Sequence, residues 1–287
     1  MTDFSLTQKS GLDRAWAEGI SRVFPEPDNY LERLCGLAEK EQNLTRAMDW
    51  DTVNLKNIPL SMRQGAANMF AQFHYGETMG ILCVSRMIDL CPSGPVKRCF
   101  ESQAIDEARH VKWLTLLMRK LECEGEINTV SEQLMTEIHQ ADTLEKLVIG
   151  IHVFIEGLAH SYCMEGARAF SGKPGLKAIS SAYRSASKVA GDWLPNFIGR
   201  DESRHIAFGN YFLGRILPEL TPARRNALEH FTERLGLIIV EGVRHPGLVF
   251  APDLDGRSVG ARSLEKLNRQ LAGLGIEARI PDVYAST

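Results

Sequence analysis

The chain has 287 residues, of which 44% are hydrophobic and 24% are charged, as in an ordinary globular protein. Its net charge is −3 and its basic residues are scattered, so we expect no nucleic-acid partner. The longest apolar run, at 147–155, is too short to cross a bilayer, and the N-terminus lacks the apolar stretch of a signal peptide. We therefore expect a soluble, cytoplasmic protein without a membrane partner, whose six cysteines are reduced.

Helical periodicity dominates the chain, and the alternation typical of strands is nearly absent. The sequence predicts an all-α fold in a single domain over 1–287. Its core spans about 60–217, with helices of 1–50 and helices and a tail of 221–287 flanking it. The predicted helices cover 10–22, 28–48, 61–90, 95–122, 130–140, 143–170, 176–191, 192–217, 221–243 and 263–273.

Two five-residue words nearly repeat: residues 106–110 read DEARH, and residues 201–205 read DESRH. In each word a glutamate precedes a histidine by three residues, which places both side chains on one face of a helix, within reach of one metal ion. One such pair arises often by chance, but two matching words in long helices indicate a dimetal site, to which two further helices each add a glutamate. The four residues of the words are Glu107, His110, Glu202 and His205.

Glu77 is the candidate for the first additional carboxylate, because it is the only acidic residue between Arg63 and Arg86 and has apolar neighbours. A buried carboxylate without a partner is costly, and a metal ion removes that cost.

The third long helix offers Glu156 and Glu165, which lie nine residues apart and so face opposite sides. Glu156 occupies the most apolar stretch, whereas Glu165 has Arg168 at i+3, as in an ordinary surface pair. We favour Glu156 and keep Glu165 as the alternative.

Four carboxylates and two imidazoles suit iron or manganese rather than a structural zinc site built from thiolates. Asp106 and Asp201 each precede a proposed ligand, and ligand histidines usually donate their second N–H to a carboxylate. Arg109 and Arg204 could hold those aspartates, although surface salt bridging would explain the same letters.

Two histidines, His74 and His152, precede Glu77 and Glu156 by three and four residues on the ligand face. We expect them to support the ligands or to pack in the core. The aromatic candidates for a dry substrate pocket are Phe73, Phe154 and Phe197.

With these residues the chain resembles the ferritin-like di-iron carboxylate superfamily over about 60–215. The doubled word is similar to that of the hydroxylase α-subunits of bacterial multicomponent monooxygenases and, less closely, to ribonucleotide reductase small subunits and related oxidases and N-oxygenases. The resemblance implies a ferritin-like four-helix-bundle core, two iron ions or a manganese–iron pair, O₂ activation, a ferredoxin or reductase as electron donor, and a homodimer. It also implies that Glu107 and Glu202 are shared between the metals and that Glu77 and Glu156 are terminal ligands.

The chain departs from these relatives at three points. Glu156 and Glu202 lie 46 residues apart, against 30 for Glu77 and Glu107, so a segment around 171–190 is expected to be inserted. Leu114 occupies the position of the radical tyrosine of the reductases. His160 occupies that of a threonine in the monooxygenases, where it could be an extra ligand, a proton donor in the pocket or a buried histidine bonded to the backbone.

The function we expect is an O₂-activating di-iron oxygenase that hydroxylates or N-oxygenates a small organic substrate. The alternatives are a radical or oxidase protein like the reductase small subunit, a ferritin-like iron-binding protein without oxygenase activity, and a helical interaction protein with no metal.

Overall fold

The structure is a computed structural model, and it describes residues 11–42, 50–56, 58–158, 160–161, 189, 193–244, 256–278 and 280–281. Within these residues the chain forms helices and turns and no strand, which confirms the all-α prediction. The α-helices of five or more residues are α1 (Gly11–Val23), α2 (Asn29–Gln42), α3 (Leu60–Leu90), α4 (Pro95–Leu121), α5 (Thr129–His139), α6 (Leu144–Val148), α7 (Ile198–Ile216), α8 (Pro222–Arg244) and α9 (Gly256–Gly273). Short helical turns lie at Trp50–Thr52, Leu194–Asn196 and Leu217–Glu219. None of these helices is long and apolar enough to span a bilayer.

Local sequence explains the turn between the two longest helices, α3 and α4. Gly94, with φ of 138°, turns the chain out of α3, and Pro95 then starts α4 at a position where its missing N–H is not needed. The end of α4 lies beside the start of α3, where Arg63 donates to the carbonyl of Leu121 at 3.0 Å. The two helices therefore pack antiparallel along their lengths.

The segment after α6 differs from the regular α-helix that the sequence predicts over 143–170. Ile149–Ile155 forms π-helical turns, and the chain returns to α-helix at Glu156. Such turns widen a helix and frequently accompany functional sites. This segment packs against α7, and residues 162–170 and most of the predicted helix at 176–191 lie outside the described residues.

Two apolar clusters lie on either side of the middle of α4. Phe100 belongs to a large cluster with residues of α6, α7 and α8, and Leu114 belongs to a smaller one with residues of α3. Both side chains are fully buried. The turns of α4 between them carry Glu107 and His110, so these polar residues lie between two apolar clusters.

Candidate metal centre

The two repeated words lie on α4 and α7, which pack against each other. The glutamate and histidine of each word point inward, with exposures of 0% to 4%. The ring centroids of His110 and His205 are 6.4 Å apart. Helix packing therefore brings together two pairs of ligand-type side chains that are far apart in sequence.

Glu77 of α3 and Glu156, at the end of the π-helical segment, complete two groups of metal-ligating side chains. Within each group, one potential ligand atom from each residue lies within 4.8 Å of those of the other members. Each of these buried groups could hold a metal ion. The first group consists of Glu77, Glu107, His110 and Glu202, and the second consists of Glu107, Glu156 and His205.

Glu107 is the residue that the two groups share. Its Oε2 lies 3.6 Å from Nδ1 of His110, and its Oε1 lies 3.6 Å from Nδ1 of His205. Glu202, which the family resemblance also implies as a shared ligand, lies 3.4 Å from Nδ1 of His110 and belongs to the first group alone.

The donor atoms fit metal ions by a second criterion, which is that several of them lack a hydrogen bond. Oε2 of Glu156, Oε1 of Glu202 and Nδ1 of His205 are buried without a hydrogen bond. Buried polar atoms are normally paired, because an unpaired one forfeits its interaction with water. Cations among these oxygens and nitrogens would satisfy them, and a mixed oxygen and nitrogen donor set suits iron or manganese.

The glutamates of the cluster have pKa values shifted from their usual range. Burial, with the charge of Glu107, raises the pKa of Glu77 to about 8. Burial, with the charges of Glu156 and Glu77, raises the pKa of Glu202 well above its usual range. Burial opposes ionisation of Glu107 as well, but hydrogen bonds from Glu77 and His110 hold its pKa well below the usual range.

Both histidines favour the protonated form in the metal-free cluster. Burial alone would lower their pKa values, but the surrounding carboxylates reverse this and raise them well above the usual range. Glu77 has the largest such effect on His110, and Glu156 has the largest on His205. A region this rich in carboxylates therefore attracts positive charge, which metal ions can supply in place of protons.

Each aspartate of the two words contacts the histidine of the other helix. Asp201 of α7 lies 3.0 Å from Nε2 of His110, and Asp106 of α4 lies 3.2 Å from Nε2 of His205. Each Asp–His contact leaves the Nδ1 atom of the histidine facing the glutamates. An Nε2–H donated to the aspartate fixes the tautomer in which Nδ1 is free to bind a metal.

Two arginines hold both aspartates at once. Arg109 pairs with Asp106 at 2.9 Å and also with Asp201. Arg204 donates to Asp106 at 2.7 Å and to Asp201 at 2.8 Å. Burial opposes ionisation of Asp201, yet the hydrogen bond from His110 and the arginine charges hold its pKa well below the usual range. These contacts form a buried ionic network rather than surface salt bridges.

Gln103 is a site residue that the sequence reasoning missed. Its amide nitrogen donates to Oε1 of Glu156 at 2.6 Å and to Oε1 of Glu107 at 3.0 Å, and its oxygen lies 2.9 Å from Nε2 of His152. The signal was present, because Gln103 lies one helical turn before Glu107 on the same face. Glu41 of α2 was also missed; it pairs with Arg204, and nothing in the local sequence of α2 indicates that contact.

His152 is fully buried behind Gln103, and burial lowers its pKa. Its Nδ1 lies 3.2 Å from the carbonyl of Val148 one turn earlier. The ring packs directly on Gly209 of α7, where an added Cβ would lie 2.4 Å from Cβ of His152. His152 thus contacts Gln103 and α7, in keeping with a supporting role.

The candidate histidines His74 and His160 make other contacts. His74 lies 3.0 Å from the hydroxyl of Thr115, and Nε2 of His160 lies 3.0 Å from the hydroxyl of Ser203. Neither histidine belongs to either ligand group. Glu165 lies outside the described residues.

A cavity of about 150 Å³ adjoins the glutamates. Its wall includes Phe73 but neither Phe154, which is fully buried in the large apolar cluster, nor Phe197, which packs on Trp113. The cavity lining includes Glu77, Glu107, Glu156 and Glu202, and the rest of it is largely apolar, with Leu134, Met135, Ile151 and Ile155.

The fold and the site define a helical protein with a buried cluster of carboxylates and histidines that could bind metal. No model of a known protein family matches the chain, and no curated protein matches it either.

Proposed function

We propose that this chain is a non-haem di-iron oxygenase that uses O₂ to hydroxylate or N-oxygenate a small organic substrate. The observation that carries the proposal is the pair of buried ligand groups sharing Glu107 beside a largely apolar cavity. In this proposal a ferritin-like core consists of α3, α4, α7 and the helix that α6 forms with the π-helical segment and Glu156, since each contributes a ligand. When bound, the two metal ions, two irons or manganese and iron, would supply the redox chemistry that reduces O₂.

The residues of the chain would hold the ions in the two groups already described. Glu107 would bind both, since its two oxygens face the two histidines. The two aspartates would keep Nδ1 of His110 and of His205 available, and the arginines would keep the aspartates ionised. These contacts fix the ligands before a metal arrives, which is the preorganisation that a reactive centre needs.

The substrate would occupy the cavity beside the glutamates. Two apolar clusters flank the middle of α4, and apart from the glutamates the cavity lining offers mainly apolar contacts. A cavity of about 150 Å³ holds a molecule of roughly benzene size. Such a site favours a compact, largely apolar organic molecule.

Electrons would come from a separate ferredoxin or reductase, because the sequence carries no recognisable flavin- or nicotinamide-binding motif. A radical-storing role like that of the reductase small subunit has less support. Leu114, at the position of the radical tyrosine, is fully buried in the smaller apolar cluster and offers no phenol.

Metal content and oxygen incorporation together test the proposal. After anaerobic reconstitution with ferrous iron, we expect about two metal ions per chain. Glu107→Ala should lose both metal binding and O₂ consumption, whereas Glu101→Ala, an exposed residue of the same helix, should retain both. With a chemical reductant and ¹⁸O₂, a panel of small apolar substrates should yield a labelled product. Less than about one metal per chain would refute the dimetal site, and thousands of irons per assembly would indicate storage instead.

A further inference from the structure

Two cysteines of different helices meet on the outer side of the metal-ligand cluster. Sγ of Cys35 in α2 lies 3.2 Å from Sγ of Cys99 in α4, close enough for one thiol to donate a hydrogen bond to the other. A disulfide needs a sulfur separation of about 2.05 Å, so the two atoms have to approach by only about 1 Å. The two cysteines lie 64 residues apart in sequence, so the packing of α2 against α4 brings their sulfurs together.

The two thiols have different environments. Cys35 is half-buried, whereas Cys99 is 6% exposed and also lies 3.8 Å from the carbonyl of Leu31. The hydrogen bond from Cys99 lowers the pKa of Cys35 against the effect of burial, and the charge of Arg98 adds to the lowering. The same hydrogen bond and burial raise the pKa of Cys99. Cys35 is therefore the accessible nucleophile, and Cys99 is the thiol placed to react with it next.

Cys83 and Cys91 provide a comparison within the same protein. Both are buried, with exposures of 0% and 4%, and burial raises the pKa of each to about 12. Thiols of this kind are inert toward oxidants, because the thiolate is the reactive form.

A small cavity is lined both by the cysteine pair and by residues of the ionic network. It has a volume of about 20 Å³, which is room for roughly one water molecule. Its lining includes both cysteines together with Asp106, Arg204 and His205. Because Cys35 is only half-buried, a small oxidant from solvent can reach its sulfur.

We propose that Cys35 and Cys99 form a redox-active dithiol that hydrogen peroxide converts to a disulfide. The thiolate of Cys35 attacks one peroxide oxygen, the O–O bond breaks, and the leaving hydroxide takes up a proton to form water. The sulfur of Cys99 then attacks the sulfenic acid sulfur of Cys35 while its proton passes to the leaving oxygen. The S–S bond forms, the S–O bond breaks, and a second water leaves. Two thiols are oxidised and one peroxide is reduced, so the step requires no metal and does not rest on the oxygenase proposal.

The disulfide would tie α2 to α4 beside the ionic network. Gln42 of α2 donates to Ser102 of α4, and Glu41 of α2 pairs with Arg204, which holds both aspartates. Oxidation would therefore link α2 covalently to α4. Through Glu41, α2 already contacts Arg204, which holds the aspartate that contacts His205. A bond closing a loop of this length restricts the unfolded chain, so the oxidised protein should melt at a higher temperature than the reduced one.

Peptide mapping tests this inference. The full chain is reduced, desalted into chelator, exposed to hydrogen peroxide, blocked with iodoacetamide under denaturing conditions and digested. We expect the peptide containing Cys35 to be joined to the peptide containing Cys99, with release by dithiothreitol, while Cys83 and Cys91 remain alkylated thiols. The same product should form after iron loading, so a failure of the oxygenase proposal leaves this result untouched.

Variants separate the two steps. Cys99→Ser should stop the reaction at the sulfenic acid of Cys35, which dimedone traps, and Cys91→Ser should form the disulfide at the wild-type rate. Recovery of both Cys35 and Cys99 as alkylated thiols from peroxide-treated wild-type protein overturns the inference. So does oxidation of Cys35 to the sulfinic acid while Cys99 stays a free thiol; neither result depends on the variants folding.

Discussion

Asp201 lies 3.0 Å from Nε2 of His110, a residue of the other helix and of the other repeated word. Asp106 stands in the same relation to His205, at 3.2 Å. The repeated words thus form two equivalent contacts, in which the aspartate of α4 and that of α7 each contact the histidine of the other helix. The two arginines that bridge both aspartates make the four side chains one unit.

Replacing Asp201 with asparagine should weaken metal binding by about 10- to 100-fold, the usual effect of losing the partner of a ligand histidine. The amide retains the shape but removes the charge that the two arginines share, and it can accept or donate, so it no longer fixes the tautomer of His110. Competition with a chelating dye measures the ferrous affinity. Asp89→Asn, at an exposed position of α3, is the control, and equal affinity of the two variants would contradict the assigned role.

Gln103→Leu should leave the metal count near that of the wild type but lower the rate of O₂ consumption by roughly tenfold. Leucine removes the hydrogen bonds to Glu107 and Glu156 that hold these carboxylates in place. It also leaves Nε2 of His152 buried without a partner, at a cost of about 1–3 kcal/mol in the free energy of unfolding. Ser102→Ala, next along α4, is the matched control.

A shift in the spectrum of the reconstituted metal centre, with the metal count preserved, would mark Gln103 as a positioning residue. A Gln103→Leu protein that is destabilised but has an unchanged spectrum and rate would show that the residue serves packing alone.

The pattern of helices and the ligand-type residues could be read from the sequence, because both follow from periodicity within one helix. The i, i+3 spacing of Glu107 and His110 fixes a shared face wherever the helix packs. The Asp–His contacts between α4 and α7, and the pairing of Glu41 with Arg204, depend on how two helices lie relative to each other, which periodicity leaves undetermined. The π-helical turns at Ile149–Ile155 have no marker in a stretch of apolar residues that also suits an α-helix.

The stability of the metal-free protein should fall as the pH rises, in part because of Glu77. Its pKa in the folded protein is about 8, above the usual value of 4.5, so folding favours its protonated form. This contribution to stability is complete below about pH 4.5 and is lost as the pH rises through about 8.

Glu77→Gln removes this titration while preserving the hydrogen-bonding shape. In chelator, we expect the melting temperature of the variant relative to that of the wild type to increase steadily between about pH 5 and pH 8.5. Glu101→Gln, at an exposed position of α4, should follow the wild type throughout. If the curves of Glu77→Gln and wild type run parallel, Glu77 does not carry a raised pKa.

Two glycines of α7 offer a matched pair that tests the packing of His152. An added Cβ at Gly209 would lie 2.4 Å from Cβ of His152, whereas one at Gly214 would meet nothing within 4 Å. Gly209→Ala should therefore lower the free energy of unfolding by about 1–3 kcal/mol, because the π-helical segment and α7 must move apart. Gly214→Ala should raise it by about 0.5–1 kcal/mol, since alanine is the better helix former at an open site.

Denaturant unfolding of the metal-free proteins measures both changes, and the metal affinity of Gly209→Ala shows whether the displacement reaches the ligands. Since His152 holds Gln103, which holds Glu156, we expect that affinity to fall as well. Stabilisation by alanine at both positions would mean that His152 does not pack against α7 as the structure has it.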